Sequence, residues 1–243
     1  FDRIGRQVLL TEAGVQFLPK CQQILDSVDD ALTTLNNLSG NVQGSLRIGT
    51  SHHIGLHRLP PYLRQFSRDY PKVSLNIQFL TSEEICNLVE HGALELGIIT
   101  LPNALPDNLI SKTLWTDELR FFAANSHPLA QQKNIDLKEL ANYEALLPEE
   151  NTYTRDIIES VFEKNKLALN TKLSTNFLET LKMLTSVGLG WSVLPLSMQD
   201  KDIVEIKVKK VKLKRQLGFI QHKQRTLSNA AIAMSSLLVT AKD

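Results

Sequence analysis

Residues 81–102 read TSEEICNLVEHGALELGIITLP, and residues 175–195 read TNFLETLKMLTSVGLGWSVLP. The two stretches say nearly the same thing. Each opens with a polar cap, runs an amphipathic helix into a glycine (Gly92, Gly188) and continues as an apolar strand ending Leu-Pro. With the glycines aligned, Ile85 and Leu88 fall opposite Leu181 and Leu184. The second copy closes in fewer residues, so this is an echo and not a tandem array. A helix followed by a short apolar strand is half of a βαβ unit, and two separated copies predict two similar α/β lobes. A cleft between such lobes is a usual place to hold a small molecule.

The rest of the composition agrees with a globular protein of that kind. At 243 residues, 42% apolar and 22% charged, the chain can bury a sizeable core in one or two domains. A net charge of +1 gives no whole-chain nucleic-acid or membrane footprint. Cys21 and Cys86 lie far apart, without CxxC pairing or metal-ligand spacing, and read as free thiols in a reducing cytoplasm. No stretch approaches a transmembrane span and the N-terminus lacks a signal-peptide pattern. Phe1 opens in mid-element with no initiator Met, so the expectation is a fragment whose N-terminal part has been removed.

A short strand is expected at 7–10 after a Gly5 turn, and Thr11 stands where a helix N-cap belongs, with Glu12 in the first turn. From there Phe17, Cys21, Ile24, Val28, Ala31, Leu35 and Leu38 alternate spacings of four and three, a heptad seam widened by Leu18, Leu25 and Leu32. Such a helix is roughly 40 Å long, far longer than a domain needs internally. Pro19 removes one hydrogen bond and is expected to bend it. A dimerising stalk is the better reading, against a core helix within one globule. Gly40 stops it. Strands are then expected at 46–50, 73–80, 94–100, 119–124, 145–147, 171–175, 203–213 and 216–221. Helices are expected from 51 through 66, at 83–90, at 153–164 and at 228–241.

Four stretches resemble LysR-type transcriptional regulators. Phe1-Asp2-Arg3 and Gly5-Arg6 followed by Leu10-Thr11-Glu12-Ala13-Gly14 look like the wing and the start of the linker helix. Residues 44–49 (GSLRIG), 92–98 (GALELGI) and 188–195 (GLGWSVLP) look like the sensor domain of the same family. The resemblance covers the whole chain, and four motifs in the right order are specific where each alone is weak. Glu95 stands where an Asp is usual, and Trp191 is bulkier than the common aliphatic and is expected to alter the ligand pocket.

The resemblance implies an α/β fold with two Rossmann-like lobes of periplasmic-binding-protein type, joined by crossover strands and preceded by a long linker helix. It divides the chain into a wing remnant (1–10), a linker helix for dimerisation (11–40) and an effector-binding domain (45–243). Lobe I would take 46–123 with 219–243, and lobe II 124–218. The function implied is that of a cytoplasmic bacterial regulator, dimeric through the linker helix and tetrameric at full length. It would bind operator DNA through an N-terminal winged helix-turn-helix mostly absent here, with RNA polymerase as a candidate further partner and no membrane contact.

In open α/β sheets ligands sit beyond the carboxyl ends of strands, where loops lead into helix N-termini. That rule selects Thr50, Ser51, His52, Thr81, Ser82 and Thr100 in the first lobe, and Asn151, Thr152, Asn176 and Phe177 in the second. Their hydroxyls and amides, with free helix-start N–H groups, suit a carboxylate or similar anion. Ser, Thr and Asn are also what helix starts prefer, so for any one residue capping alone and ligand contact stand equal. His52, His53 and His57 tempt a metal reading, but no pattern of supporting carboxylates surrounds them, and a solvated or packed role is favoured. Ser51 sits in no GxSxG elbow, which argues against a hydrolase triad. The basic run KVKKVKLKR at 207–215 reads as strand residues with a solvated face in preference to a phosphate-binding surface.

A ligand-responsive regulator therefore stands first. The alternative is a solute-binding protein or a non-regulatory small-molecule module of the same fold, opposed by the heptad stalk and the missing signal-peptide pattern. An enzyme lacks a convergent carboxylate pair, a nucleophile elbow or a metal cluster. No catalytic residue, metal or cofactor is expected beyond a small-molecule effector.

Overall fold

In the computed structural model, which describes residues 1–5 and 7–240, the chain opens on an antiparallel hairpin of β1 (Asp2–Ile4) and β2 (Gln7–Leu9). Gly5 supplies the positive φ of +65° at its turn. Arg6 and Ala241, named above in the wing motif and the last helix, lie outside the described residues. Helix α1 (Glu12–Asn37) comes next, with the Thr11 hydroxyl accepting the Gly14 N–H at 3.0 Å. The helix continues through position 19. Phe17, Ile24, Val28, Leu35 and Leu38 are each more than half exposed, so the chain does not cover its own heptad seam. At its far end, Asn37 clamps the stalk to the segment around Leu227 and Asn229. Its Nδ2 donates to the Leu227 carbonyl at 2.8 Å and its Oδ1 accepts the Asn229 N–H at 2.9 Å.

The first lobe runs β3 (Gly44–Thr50), α2 (His52–His57), α3 (Pro60–Asp69), β4 (Val73–Phe79), α4 (Ser82–Glu90) and β5 (Leu96–Thr100). The sequence pattern predicts one helix where α2 and α3 stand. Pro60 and Pro61 split it, because proline cannot donate the next helical hydrogen bond but starts a new helix well. Strand β6 (Leu109–Ala124) leads into the second lobe, which runs α5 (Leu137–Leu140), β7 (Ala145–Leu147), α6 (Tyr153–Lys164), β8 (Thr171–Ser174), α7 (Leu178–Ser186), β9 (Trp191–Pro195) and β10 (Ile203–Ile206). Strand β11 (Leu213–His222) returns to the first lobe, and α8 (Asn229–Thr240) closes the described chain. Among the described residues no helix is long and apolar enough to cross a membrane.

Strand order shows the two lobes to be copies. One end of the sheet reads β4-β3-β5-β11 and the other reads β8-β7-β9-β6. In each, the first three strands are parallel and the fourth is antiparallel. Each copy has apolar clusters on both faces, one around Ile48, Phe66 and Met234 and another around Ile85 and Ile220 in the first lobe. Their counterparts gather around Trp191 and Phe162, and around Leu181 and Phe122. The sequence echo is this repeat. Ile85 and Leu181 are fully buried, Leu88 and Leu184 half-buried, and β5 and β9 buried at every position. Gly92 and Gly188 come after their helices at φ +74° and +84°, the left-handed region that ends a helix without a Cβ clash.

Three further sequence expectations are corrected. Strand β6 is 16 residues long and starts at Leu109, well before the apolar 119–124 segment. Its first half exposes both faces for several residues, so no alternation marks it. The expected strand 203–213 breaks after Ile206 into a turn with Lys210 at φ +59°, leaving most of the basic run as exposed loop lysines. Trp191 is core, not pocket. Its ring stacks on Phe162 with centroids 5.9 Å apart, and its indole N–H donates to the Tyr143 carbonyl at 3.1 Å. Glu95 is structural too, accepting the Ser228 N–H at 3.1 Å and so fixing the start of the last helix to the edge of β3.

The lobes are joined where the whole of β11 pairs antiparallel with residues 109–119 of β6, with Asp117 directly opposite Arg215. Both side chains are buried. Arg215 Nε and Nη2 donate to Asp117 Oδ2 at 3.2 and 2.9 Å, and Arg58 Nη2 donates to Oδ1 at 2.9 Å. Arg215 Nη1 also donates to Thr154 Oγ1 at 3.3 Å, so one cation ties the crossover to the first turn of α6. Burial raises the Asp117 carboxyl, but Arg215 and then Arg58 outweigh it and hold the group below the ordinary carboxylate range. Removing that anion would leave two guanidiniums without their partner. Asp117→Ala should therefore cost about 3–5 kcal/mol, while adding Arg215→Met should recover a substantial part. Urea unfolding midpoints measure both. A single-variant loss no larger than the roughly 0.5 kcal/mol of an ordinary surface change would show that the pair does not hold the crossover.

Candidate functional site

A cleft of about 320 Å³ lies between the two lobes, on the side where the parallel strands end. From the first lobe it is lined by Ser51, His52 and His53 where β3 enters α2, by residues 79–84 where β4 enters α4, and by Thr100 at the end of β5. From the second come Pro148 and Glu149, Thr152 and Thr154 at α6, Asn176, Phe177 and Leu178 at α7, and Arg215 from the crossover. Eight of the ten residues selected from sequence thus face the cleft. Thr50 is fully buried behind it, its hydroxyl donating to the Ser51 carbonyl at 3.3 Å. Asn151 occupies an exposed turn at φ +62°.

The four helices that border the cleft start differently. Helix α4 has a full capping box, with Thr81 Oγ1 accepting the Glu84 N–H and Glu84 accepting the Thr81 N–H at 2.9 Å. Thr152 caps α6, accepting from Arg155 at 3.4 Å. Asn176 is engaged by Glu149 through both ends of its amide, at 3.0 and 2.8 Å. Ser82 Oγ accepts the buried Thr100 N–H at 3.1 Å. Helices α2 and α7 instead begin without a side-chain cap, and both open on the cleft. The Ser51 hydroxyl and their first N–H groups, apart from that of Glu179, which its own carboxylate takes, are donors left for a ligand.

Between these uncapped starts lies an aromatic wall. The His52 ring stands edge-on to Phe177 of the second lobe at 5.1 Å and to Phe79 of the first at 6.4 Å. Both phenylalanines are half exposed to the cleft, giving a ligand two apolar faces. At the floor lies the Arg215 guanidinium, held by Asp117, which also receives Arg58 from the neighbouring cavity. Around the mouth stand Glu83, Glu84 and Glu149. The cleft is therefore polarised, basic below and acidic at the rim.

Two carboxylates cross from one lobe to the other, and they occupy equivalent positions in the sequence echo. Glu83, in the first turn of α4, accepts the Tyr153 N–H at the start of α6 at 2.6 Å. Burial raises its pKa, a tendency that this N–H bond opposes. Glu179, in the first turn of α7, meets α2, where His57 Nε2 lies 2.9 Å and His53 Nδ1 3.3 Å from Oε1, and His52 Nδ1 3.3 Å from Oε2. Burial also raises Glu179, but its own backbone N–H and then His57 and His53 bring it below the usual range. Burial first and Arg215 second push His53 down to about 4, so its imidazole is neutral at pH 7. Among the described residues no hydrogen bond joins Ser51 to either neighbouring imidazole.

Sequence reading missed Phe79, His53, Thr154, Arg215 and Glu179. For Arg215 a signal existed, since Leu213, Arg215 and Leu217 alternate inward along β11 and an arginine on a buried face needs a buried anion. For Glu179 no local signal distinguishes it from a carboxylate placed to suit a helix start.

A family model described as LysR substrate binding domain matches residues 39–242. The Escherichia coli (strain K12) protein named uncharacterized HTH-type transcriptional regulator YnfL is 34% identical over 209 residues, covering 84% of this chain and 70% of that one. The effector binding domain of QuiR in complex with shikimate superposes with a TM-score of 0.74 at 19% identity, over 82% of this chain and 97% of that one. The Synechocystis PCC6803 CcmR regulatory domain in complex with 2-PG gives 0.73 at 21% identity, over 83% and 98%. Cap bonds and buried bonds in the cleft predict unequal costs. Thr81→Ala should lose about 1 kcal/mol of stability as an exposed cap. Ser82→Ala, which strands the buried Thr100 N–H, should lose about 1–3 kcal/mol. Paired thermal melts read the order, and a reversal would show that the Ser82 bond contributes little.

Proposed function

The chain belongs to the LysR substrate binding domain family, and from that premise we propose that it senses a small anionic organic molecule held between its lobes. The observation that carries this reading is the pair of uncapped helices, α2 and α7, opening on one polarised cleft from opposite lobes. An acidic group would take the free helix-start N–H groups and the Ser51 hydroxyl, with Arg215 beneath it. Hydroxyl or ammonium groups on the same ligand would turn toward Glu83, Glu84 and Glu149. Phe79 and Phe177 would cover its carbon skeleton. Hydroxy acids and amino acids have this pattern, and about 320 Å³ suits molecules of that size. The ten residues selected from sequence remain the proposed contact set, with Ser51, His52 and Phe177 foremost.

In the proposed division of labour, 45–243 senses, α1 within 11–40 dimerises, and the β1–β2 hairpin marks the DNA-proximal end, at the wing proposed for 1–10. The exposed heptad face of α1 supports pairing with a second copy, since identical seams are complementary to each other. Operator DNA, a full-length tetramer and a cytoplasmic site of action complete the reading, with RNA polymerase as a further partner. No turnover is proposed, because among the described residues no hydrogen bond joins the Ser51 hydroxyl to a base.

Two measurements test this. Thermal-shift screening of hydroxy acids and amino acids should find a ligand that, at about 100 times its dissociation constant, adds roughly 2.7 kcal/mol. For a chain of this size that is a rise of about 5–10 °C. Ser51→Ala should weaken it by about 1–3 kcal/mol. Hits unaffected by both Ser51→Ala and Phe177→Ala would place the ligand elsewhere. For the stalk, Leu35→Asp with Leu38→Asp should yield a smaller species in sedimentation, and unchanged assembly would remove α1 from the interface.

A further inference from the structure

The contact between α2 and α7 has the donor set of a metal centre. His53 and His57 are four residues apart, the spacing that puts two imidazoles on one helix face. Their rings lie 4.7 Å apart and tilted by 45°. Glu179 comes from the other lobe, and the three ligand atoms all fall within 4.8 Å of one another. A zinc ion with bonds of about 2.0–2.1 Å to nitrogen and oxygen needs tetrahedral ligand separations of about 3.3 Å. His53 Nδ1 and His57 Nε2 converge on the same carboxylate oxygen at 3.3 and 2.9 Å. The longer contact exceeds the roughly 2.7–2.9 Å of a strong charge-assisted hydrogen bond. It matches one edge of the tetrahedron, and the 2.9 Å contact to His57 is shorter than that edge.

We propose that His53, His57 and Glu179 bind a divalent transition-metal ion, Zn²⁺ by ligand type, which latches the two lobes beside the effector cleft. Two nitrogens and one carboxylate oxygen make a borderline-soft set that suits Zn²⁺ and not Mg²⁺ or Ca²⁺. The fourth position stays open to water from a cavity of about 510 Å³ on the other side of the histidines, which is also the entry path. His57 is half exposed toward that path. His52 supports the set from behind, with Nδ1 at 3.3 Å from the other Glu179 oxygen, as outer partners of ligating carboxylates do. An imidazole that ligates a metal presents its lone pair and carries its one proton on the other ring nitrogen. Of the cations nearby, Lys182 pairs with Asp200 at 2.6 Å, while Arg58 and Arg215 share the Asp117 carboxylate, each at 2.9 Å. The ion reaches residues on both lobes, so its binding free energy favours the lobe arrangement seen here.

The proposal stands without any effector, and its test uses the tag-free full chain, stripped with chelator, and Zn²⁺ alone. Equilibrium dialysis should find one Zn²⁺ per chain, and Zn²⁺ should raise the melting temperature where Mg²⁺ does not. Glu179→Gln and His57→Ala should each weaken uptake tenfold or more, while His91→Ala, remote from the site, leaves it unchanged. His57→Ala alters a half-exposed side chain, so it reports on the site even where Glu179→Gln fails to fold. Three results would overturn the proposal: no uptake by the wild-type chain at sub-millimolar Zn²⁺, uptake indifferent to His57→Ala, or an equal thermal shift from Mg²⁺. In each case the histidine–carboxylate contact is a hydrogen-bonded latch and nothing more.

Discussion

Asp117 and Arg215 face each other across the two strands that belong to both lobes, and the rest of the architecture depends on that crossing. An ion pair in such a place is a poor source of net stability, because both charges lose their hydration. Its value is geometric. Arg215 offers a fixed fork of donors, and here it spends them on Asp117 opposite and on Thr154 at the start of α6. Arg58 brings the end of α2 to the same carboxylate. One buried anion thus sets the positions of a helix from each lobe relative to the shared strands. Of the two guanidiniums it holds, Arg215 lines the cleft and Arg58 the neighbouring cavity.

The repeat of the lobes explains how the cleft is bridged. Glu83 and Glu179 fall at the same place in the two copies of the helix–strand unit, each in the first turn, where a carboxylate complements the helix dipole. When two such units face each other, each of these carboxylates points toward the helix that follows the central parallel strand of the opposite lobe, α6 after β7 and α2 after β3. One finds a backbone N–H and the other finds three imidazoles. A local stabilising preference has become, through pseudo-symmetry, a pair of contacts between lobes. The asymmetry of their partners makes the two sides of the cleft chemically different.

The same reasoning separates the polar residues around the cleft. Thr81 and Thr152 complete caps, and Asn176 is bound at both ends by Glu149. These groups shape the walls and hold the helix starts in place. Helices α2 and α7 receive no side-chain cap from Ser51 and Phe177 at their entrances. A ligand would meet a rigid frame with its unspent donors concentrated at two opposed points.

Short-range physics is what the sequence by itself determined. Helix periodicity, Thr caps, glycines that accept positive φ and fully apolar strands are written within a few residues, and they pointed to the two helix–strand copies, the long first helix and eight residues that line the cleft. The tertiary structure alone decided what depends on distant partners. Arg215 sits at the end of a run that reads as solvated lysines, and it is buried because Asp117 lies opposite in the paired strand. Trp191 looked like a pocket residue and is core, because Phe121 and Phe162 enclose it from other elements. His53 and His57 lacked a carboxylate nearby in sequence, and Glu179 reaches them only because the lobes face each other. Alternation and capping come from the geometry of a single element, whereas a charge finds its partner through the sheet order that brings two elements together.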